Sequence, residues 1–203
     1  MNWNLVEVRK ETKHRFLNFY TLVYDVKEGN EHRRYEYYMT SRKEKENLLP
    51  VLRKTERPDG VMIPLYYVSE EGKVYFLLTR QFRPALGLYV TSVPAGLMEK
   101  EDTDILAVAR REAKEEAGVE ITDLEVLAEI GSTSSGFSDE TNGIVLGRIV
   151  SKGKKQLEEF EDISSNLYSI PEVESMLKDK GRFFALEVRT LLLYLLLRFK
   201  DRR

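Results

Sequence analysis

The sequence contains no cysteine and only two histidines, His14 and His32, among its 203 residues. Without cysteine, the chain cannot form disulfides, thiolate nucleophiles, or cysteine-based zinc and iron–sulfur sites. Two histidines leave little material for a histidine metal site or a catalytic triad. Any catalysis must therefore rest mainly on carboxylates, arginine, lysine and tyrosine.

An excess of positive charge is also absent, because 32 Lys and Arg residues are balanced by 34 Asp and Glu residues. Proteins that coat nucleic acid need a basic face, so we expect no nucleic-acid partner. The most apolar stretch, 190–199, is far shorter than the roughly 20 residues of a membrane helix, and residues 1–10 contain no apolar signal region. We therefore expect no membrane partner and a cytoplasmic location.

Two domains are predicted, with the boundary at the break Pro58-Asp-Gly60. Residues 1–57 are predicted to form an N-terminal β module, because aromatic and β-branched residues dominate 16–26 and 33–40 and a turn signal separates the two runs. So few strands are marginal in water and must pack on something else. In the second domain, 58–203, strands are predicted over 61–68, 74–79, 89–93, 124–130 and 143–150, and helices over 103–117, 171–180 and 182–199.

The helix over 103–117 has clear start and stop signals. Thr103 or its neighbour Asp102 can cap the first turn, and Gly118 suits the left-handed position that follows the last turn. At about 100° per residue, one face of this helix is apolar. That face consists of Ile105, Leu106, Ala109, Ala113 and Ala117.

Three acids lie on or beside this apolar face, where the helix turns toward the protein. Glu116 falls within the face, Glu112 on its edge, and Glu115 beside Glu112. Like charges at this spacing repel one another, and desolvation makes the repulsion worse unless a cation joins them. A solvated acidic helix, loosely paired with neighbouring arginine and lysine, is the alternative interpretation.

The spacing of these acids resembles a known motif. Residues 111–119, REAKEEAGV, fit the pattern R-E-U-x-E-E-x-G-U, in which U is aliphatic, and Pro94-Ala-Gly96 precedes them. This order resembles the Nudix box. The loop between Gly96 and Arg111 is one residue longer than in that family, so Asp102 or Thr103 takes the place of the first glutamate, depending on the end from which it is counted.

The resemblance extends beyond the box. Residues 80–84, RQFRP, are similar to the segment before the box in ADP-ribose pyrophosphatases and their nucleotide-sugar relatives, although Ser92 stands where those proteins often carry glutamate. Residues 134–140 resemble the flexible loop that brings in a catalytic glutamate. The N-terminal module and the chain length also resemble that subfamily, in which the module helps to form a dimer.

The resemblance implies an α/β fold, with mixed α and β structure: a Nudix α/β/α sandwich with a mixed β-sheet, plus the small N-terminal β module. It implies a homodimer, with residues 1–57 as the dimerisation element. It also implies a set of site residues. Glu112, Glu116 and a backbone carbonyl at Ala95 or Gly96 would bind metal. Glu140 would serve catalysis as the general base, with Asp139 as the alternative, and Glu115 would be a further ligand or a second acid that serves catalysis. Arg83 and Arg80 would bind phosphate oxygens of the substrate, with a surface salt bridge as the alternative, and Arg111, Gly96 and Gly118 would be structural.

The donor set agrees with this chemistry. Carboxylates without cysteine or histidine suit hard cations, Mg²⁺ or Mn²⁺, which neutralise phosphate oxygens and polarise a water molecule. The expected reaction is hydrolysis of the pyrophosphate bond of a nucleoside diphosphate linked to another moiety, with ADP-ribose giving AMP and ribose 5-phosphate as the first expectation. Another nucleotide sugar such as GDP-mannose, or a non-catalytic nucleotide-sensing domain, are the alternatives.

Overall fold

The computed structural model describes residues 1–157, 159 and 161–202. The described chain divides into two compact units. The first combines Met1–Asp59 with Ile130–Asn142, and the second combines Gly60–Glu129 with the chain from Gly143 onward. The sequence did not predict that 130–142 groups with the N-terminal residues. That grouping depends on pairing between distant residues, such as the hydrogen bond of 2.8 Å that the Thr40 N–H donates to the Phe137 carbonyl.

The first unit is built on a three-stranded antiparallel sheet in the order β1-β2-β3. Its elements are β1 (Asn2–Lys10), β2 (Asn18–Glu28), β3 (Glu31–Ser41) and the short helix α1 (Leu49–Leu52). Strands β2 and β3 form a hairpin whose turn contains Gly29 at φ 60°. Tyr20, Leu22, Met39 and Leu48 form the apolar core of this unit.

The second unit contains most of an eight-stranded mixed sheet and three helices. Its strands are β4 (Gly60–Met62), β5 (Leu65–Val68), β6 (Val74–Arg83), β7 (Leu88–Ser92), β8 (Ala95–Leu97), β9 (Val119–Ser132), β10 (Thr141–Lys152) and β11 (Ile163–Ser169), of which β9 and β10 extend into 130–142. Its helices are α2 (Ile105–Ala117), α3 (Ile170–Lys178) and α4 (Leu186–Arg198). Six of these strands lie side by side in the order β11-β6-β5-β10-β4-β8, and β5 runs parallel to β10.

Helices cover both faces of this sheet. Because side chains alternate along a strand, Val74, Phe76 and Leu78 of β6 join the core formed with α3 and α4, whereas Leu77 joins the core formed with α2. The predicted α/β/α sandwich with a mixed sheet and a small N-terminal β module is therefore confirmed.

The structure corrects several predicted boundaries. The apolar run 61–68 forms two strands rather than one, because Pro64 has no N–H to donate within a ladder. Residues 95–97 form β8, antiparallel to β4, although the predicted strand in this region ended at residue 93. The cap of α2 is Asp104, whose carboxylate accepts the Leu106 N–H at 2.9 Å, rather than Thr103 or Asp102. Strand β11 was not predicted.

Gly118 follows the last turn of α2, where the sequence predicted a residue in the left-handed conformation. Gly118 has φ 65° after α2 and donates its N–H to the Lys114 carbonyl at 3.0 Å, as a left-handed terminating glycine does. Within α4, Leu191, Leu192 and Leu195 are buried. Within the described part of the chain, the structure contains no helix with the length and apolarity needed to cross a membrane.

Candidate active site

Helix α2 holds Glu112 and Glu116 against the sheet of the second unit. The two residues are four apart, so their side chains lie on one face of the helix. Each is only 8% exposed. The neighbouring Ala109 and Ala113 are fully buried, and their small side chains let the helix approach the sheet closely. Two carboxylates are thus carried into the protein by a helix face that otherwise forms core.

Gly96 of β8 makes room for the carboxylate of Glu112. A Cβ atom placed on Gly96 would lie 1.9 Å from the Glu112 carboxyl carbon and 2.0 Å from Oε1. No side chain, not even a methyl group, can occupy that space while Glu112 keeps its position. The glycine is therefore required by the close approach of the glutamate to the strand.

Glu116 is bound to the residue before this glycine. The backbone N–H of Ala95 donates a hydrogen bond of 3.0 Å to Glu116 Oε2. The pKa of Glu116 is nevertheless raised to about 7, mainly by burial and also by the neighbouring charge of Glu112, whereas the hydrogen bond from Ala95 and the positive charge of Arg83 oppose the shift. Burial likewise raises the pKa of Glu112. Two buried carboxylates held together in this way fit a cation, which would stabilise their charged forms.

Arg111 ties the glutamates of α2 to the loop before the helix. Its Nη1 atom donates to Glu112 Oε1 at 2.7 Å and to Glu115 Oε2 at 3.3 Å. Its Nη2 atom donates to the Leu97 carbonyl and to Asp102 Oδ2, each at 3.2 Å. The structure therefore places Arg111 as an anchor for Glu112 and Glu115. Asp102, at one of the two positions offered for the first acid of the motif, binds this arginine.

The two predicted substrate-binding arginines lie on exposed parts of β6. Arg83 is close enough to Glu116 for its charge to lower the pKa of that carboxyl. Arg80 lies over the ring of Tyr89, with its guanidinium carbon 3.9 Å from the ring centroid.

Sequence reasoning missed Glu161, which belongs to the same group of acids. Burial is the main cause of the raised pKa values of Glu112 and Glu116, and the charge of Glu161 raises both of them further. Glu161 lies between β10 and β11, far along the chain from α2. The only sequence signal is the acidic character of 159–162, which is also typical of a solvated loop.

Lys155 was also missed. Burial lowers the pKa of this lysine, and the nearby negative charge of Glu116 acts in the opposite direction. Lys155 thus adds a cation beside the glutamates. Among the described residues, no group of three or more histidine, aspartate or glutamate side chains is arranged to hold a metal ion by itself.

The predicted base and its alternative belong to the first unit. Asp139 is 8% exposed, and its Oδ2 atom accepts the Leu49 N–H at 2.9 Å at the start of α1. It also lies 3.9 Å from Lys43 Nζ. Glu140 is half-buried, with its carboxylate 3.7 Å from Arg42 Nε. The carboxylate of Asp139 thus has a structural task, whereas the carboxylate of Glu140 makes a longer ion pair with an exposed arginine.

The first unit also contains a cavity of about 610 Å³. Four aromatic rings contribute to its lining, together with Arg53 and several serines. Aromatic side chains of this kind stack with planar heterocycles such as nucleobases. The rings are those of Trp3, Tyr24, Tyr35 and Tyr37.

Comparison with known proteins gives one family and one fold. The family model of the NUDIX domain matches residues 56–187. A crystal structure described as an ADP compounds hydrolase is similar over 99% of this chain and 95% of its own, with a TM-score of 0.69 and 15% sequence identity. At this identity the likeness concerns the fold. No curated protein compared with the chain matches its sequence.

Proposed function

The chain belongs to the Nudix family and is a Nudix hydrolase; from this premise we propose that it hydrolyses the pyrophosphate bond of a nucleoside diphosphate linked to another moiety. The first substrate to test is ADP-ribose, which with one water would give AMP and ribose 5-phosphate. The observation that carries the proposal is the buried pair Glu112 and Glu116, held against Ala95 and Gly96.

Nudix hydrolases generally use divalent metal ions, and we propose Mg²⁺, or Mn²⁺ in its place. Glu112, Glu116 and the carbonyl of Ala95 would hold the ion. Mg²⁺ is commonly bound by one or two carboxylates together with phosphate oxygens of the substrate, which fits this donor set. When bound, the ion would neutralise phosphate charge and make an attacking water more acidic.

The other residues of the second unit would orient the carboxylates and the substrate. Arg111 fixes Glu112 and Glu115 through hydrogen bonds and ion pairs, so that the carboxylates are in place before substrate arrives. Arg83 and Lys155 add positive charge near Glu116 and would pair with the phosphate oxygens. Glu115 is proposed as a further acid of the site.

Glu140 is proposed as the general base that accepts a proton from the attacking water. It is better suited than Asp139, because the Asp139 carboxylate is already occupied by the Leu49 N–H. Glu161 is the second candidate for the base, since it is close enough to Glu112 and Glu116 for its charge to raise their pKa values.

A nucleotide substrate is supported by one further observation. The similar solved structure is described as a hydrolase of ADP compounds, which makes an adenine nucleotide the first choice. GDP-mannose represents the alternative class of nucleotide sugar.

The test is a hydrolysis screen of ADP-ribose, GDP-mannose and other nucleotide sugars with Mg²⁺ and with Mn²⁺, in which products are identified by mass. We expect cleavage between the two phosphates of at least one substrate, and loss of that cleavage in Glu112→Gln. Tight binding of a nucleotide without cleavage, unchanged in Glu112→Gln, would instead indicate a nucleotide-sensing protein.

A further inference from the structure

Tyr89 lies where three strands of the second unit meet. On β7 it is paired with Phe82 of β6, and the two rings pack edge to face with centroids 5.4 Å apart. Arg80, two residues before Phe82, is on the same side of β6 and lies over the Tyr89 ring at 3.9 Å. A guanidinium that stacks through its planar face keeps its N–H edges available for phosphate oxygens. The ring of Tyr89 therefore determines the orientation of the Arg80 guanidinium.

The hydroxyl of Tyr89 makes a different contact. It donates a hydrogen bond of 2.5 Å to Asp162 Oδ2. This bond raises the pKa of Tyr89, so the hydroxyl stays protonated and remains a donor. The backbone of Asp162 is held as well, because its carbonyl accepts the Phe82 N–H at 3.3 Å. Asp162 is thus fastened to β6 and β7 through both its side chain and its main chain.

The residue before Asp162 is Glu161, the acid whose charge acts on Glu112 and Glu116. Both Glu161 and Asp162 precede β11, which begins at Ile163 opposite Gln81. Glu161 therefore lies outside the strand ladder, one residue away from an anchored position. By holding Asp162, the hydrogen bond of Tyr89 restrains the backbone next to Glu161. It therefore limits the directions in which the Glu161 side chain can point.

We propose that Tyr89 is a positioning residue of the hydrolytic site. Its hydroxyl anchors Asp162 and thereby holds the carboxylate of Glu161 near Glu112 and Glu116, and its ring orients Arg80 for the diphosphate of the substrate. This inference rests on the proposed function. Because the two tasks belong to different atoms of one side chain, substitution can separate them.

The experiment compares Tyr89→Phe, which keeps the ring and removes the hydroxyl, with Tyr89→Leu, which removes both. Three quantities are measured. The affinity of the substrate-free protein for Mn²⁺ comes from the spin resonance signal of free Mn²⁺, and kcat and KM come from the kinetics of the hydrolysed substrate. For Tyr89→Phe we expect Mn²⁺ affinity and kcat to fall about tenfold each, the effect of one hydrogen bond to a charged group, with KM unchanged. For Tyr89→Leu we expect the same losses together with a KM raised about tenfold, because Arg80 loses its platform.

The matched control is Tyr75→Phe, which removes the hydroxyl from a tyrosine of β6 whose ring packs against Tyr67. It should leave Mn²⁺ affinity, kcat and KM unchanged. Asp162→Ala should reproduce the losses of Tyr89→Phe, and the double variant should lose no more than either single variant, because both remove the same bond.

Four results would contradict the proposal. If Tyr89→Phe binds Mn²⁺ and turns over like the unaltered protein, the hydroxyl has no positioning role, although the proposed function would stand. If Tyr75→Phe shows the same losses, the effect is a general one of the sheet. If the effects of Tyr89→Phe and Asp162→Ala add, the two residues do not act through one bond. If KM does not rise in Tyr89→Leu, the ring does not orient Arg80.

Failure of the proposed function would look different. If the unaltered protein cleaves none of the nucleotides, the Mn²⁺ measurement alone decides. A weaker affinity in Tyr89→Phe with an unchanged Tyr75→Phe then supports the anchoring of Glu161, and an unchanged affinity overturns it.

Discussion

At the scale of single residues, Glu116 combines burial with a direct hydrogen bond to Ala95 in the strand before α2. We expect Glu116→Gln to lower kcat at least about a thousandfold at saturating Mg²⁺, because a metal ion contributes several kcal/mol of charge stabilisation in the transition state. The fold should survive, since the glutamine carbonyl can still accept the Ala95 N–H. Steady-state kinetics measure the fall in kcat, and thermal denaturation checks that the fold survives.

The control for this variant is Glu120→Gln, which changes an exposed glutamate just beyond α2 that pairs with Lys114 at 3.5 Å. It should leave kcat within about twofold, because exposed ion pairs contribute little. Near-unaltered turnover in Glu116→Gln would refute the assignment of Glu116 as a metal-binding residue.

Glu140 and Asp139 are neighbours with different expected tasks. General-base help is worth about 10²–10⁴-fold, so Glu140→Gln should lower kcat by that factor while Mg²⁺ and substrate affinity stay largely intact. Asp139→Ala should instead lower the free energy of unfolding by about 1 kcal/mol, because the Leu49 N–H loses its acceptor. Kinetics and urea denaturation of both variants provide the measurement.

The opposite kinetic result would assign the general base to the neighbouring residue. If Glu140→Gln keeps full activity and Asp139→Asn loses it, Asp139 is the base. If neither substitution lowers kcat, the base lies elsewhere, and Glu161→Gln becomes the next variant to measure.

At the scale of elements, the site depends on how closely β8 approaches α2. Gly96→Ala would place a Cβ atom 1.9 Å from the Glu112 carboxyl carbon, so either the side chain or the strand must move. A misplacement of about 1 Å can cost roughly 10²-fold in rate, and we expect kcat/KM to fall by at least that factor. Mg²⁺ affinity, measured by calorimetry, should fall as well.

Gly136→Ala is the matched control, because a Cβ atom on Gly136 meets nothing within 4 Å and its φ is not in the left-handed region. It should behave like the unaltered protein in both assays. Full activity in Gly96→Ala would mean that the observed approach of Glu112 to β8 is not needed for catalysis.

At the scale of the whole molecule, α4 leaves part of its apolar surface exposed. Leu186 is 75% and Leu197 73% exposed, and Leu193 is also exposed, at spacings that place all three on one side of the helix. Large exposed apolar patches mark interaction surfaces. We therefore predict a homodimer in which this surface, or the N-terminal module, is covered by a second copy of the chain.

Light scattering at micromolar concentration should give twice the mass of one chain. Leu193→Glu and Leu197→Glu should shift the mass toward that of a monomer if α4 forms the interface, because a charge would be buried there. A monomeric mass in the unaltered protein, unchanged on dilution, would contradict the dimer.

The sequence by itself determined the parts of this protein that depend on local spacing. Glu112, Glu115, Glu116 and Gly118 lie within two turns of one helix, so their order along the chain fixes which residues share a face and where the helix ends. The family and the layered fold followed from that motif and from the strand and helix patterns around it, and both were confirmed.

Only the tertiary structure decided the contacts between distant residues. The pairing of β4 with β8, the approach of Gly96 to Glu112, the grouping of 130–142 with the N-terminal residues and the placement of Glu161 beside α2 all join residues that are distant in the sequence. Such contacts arise from strand register and layer packing, which bury apolar surface at positions that no local spacing specifies. A glutamate before a strand looks the same in sequence whether it faces water or an active site, and the burial of its neighbours makes the difference.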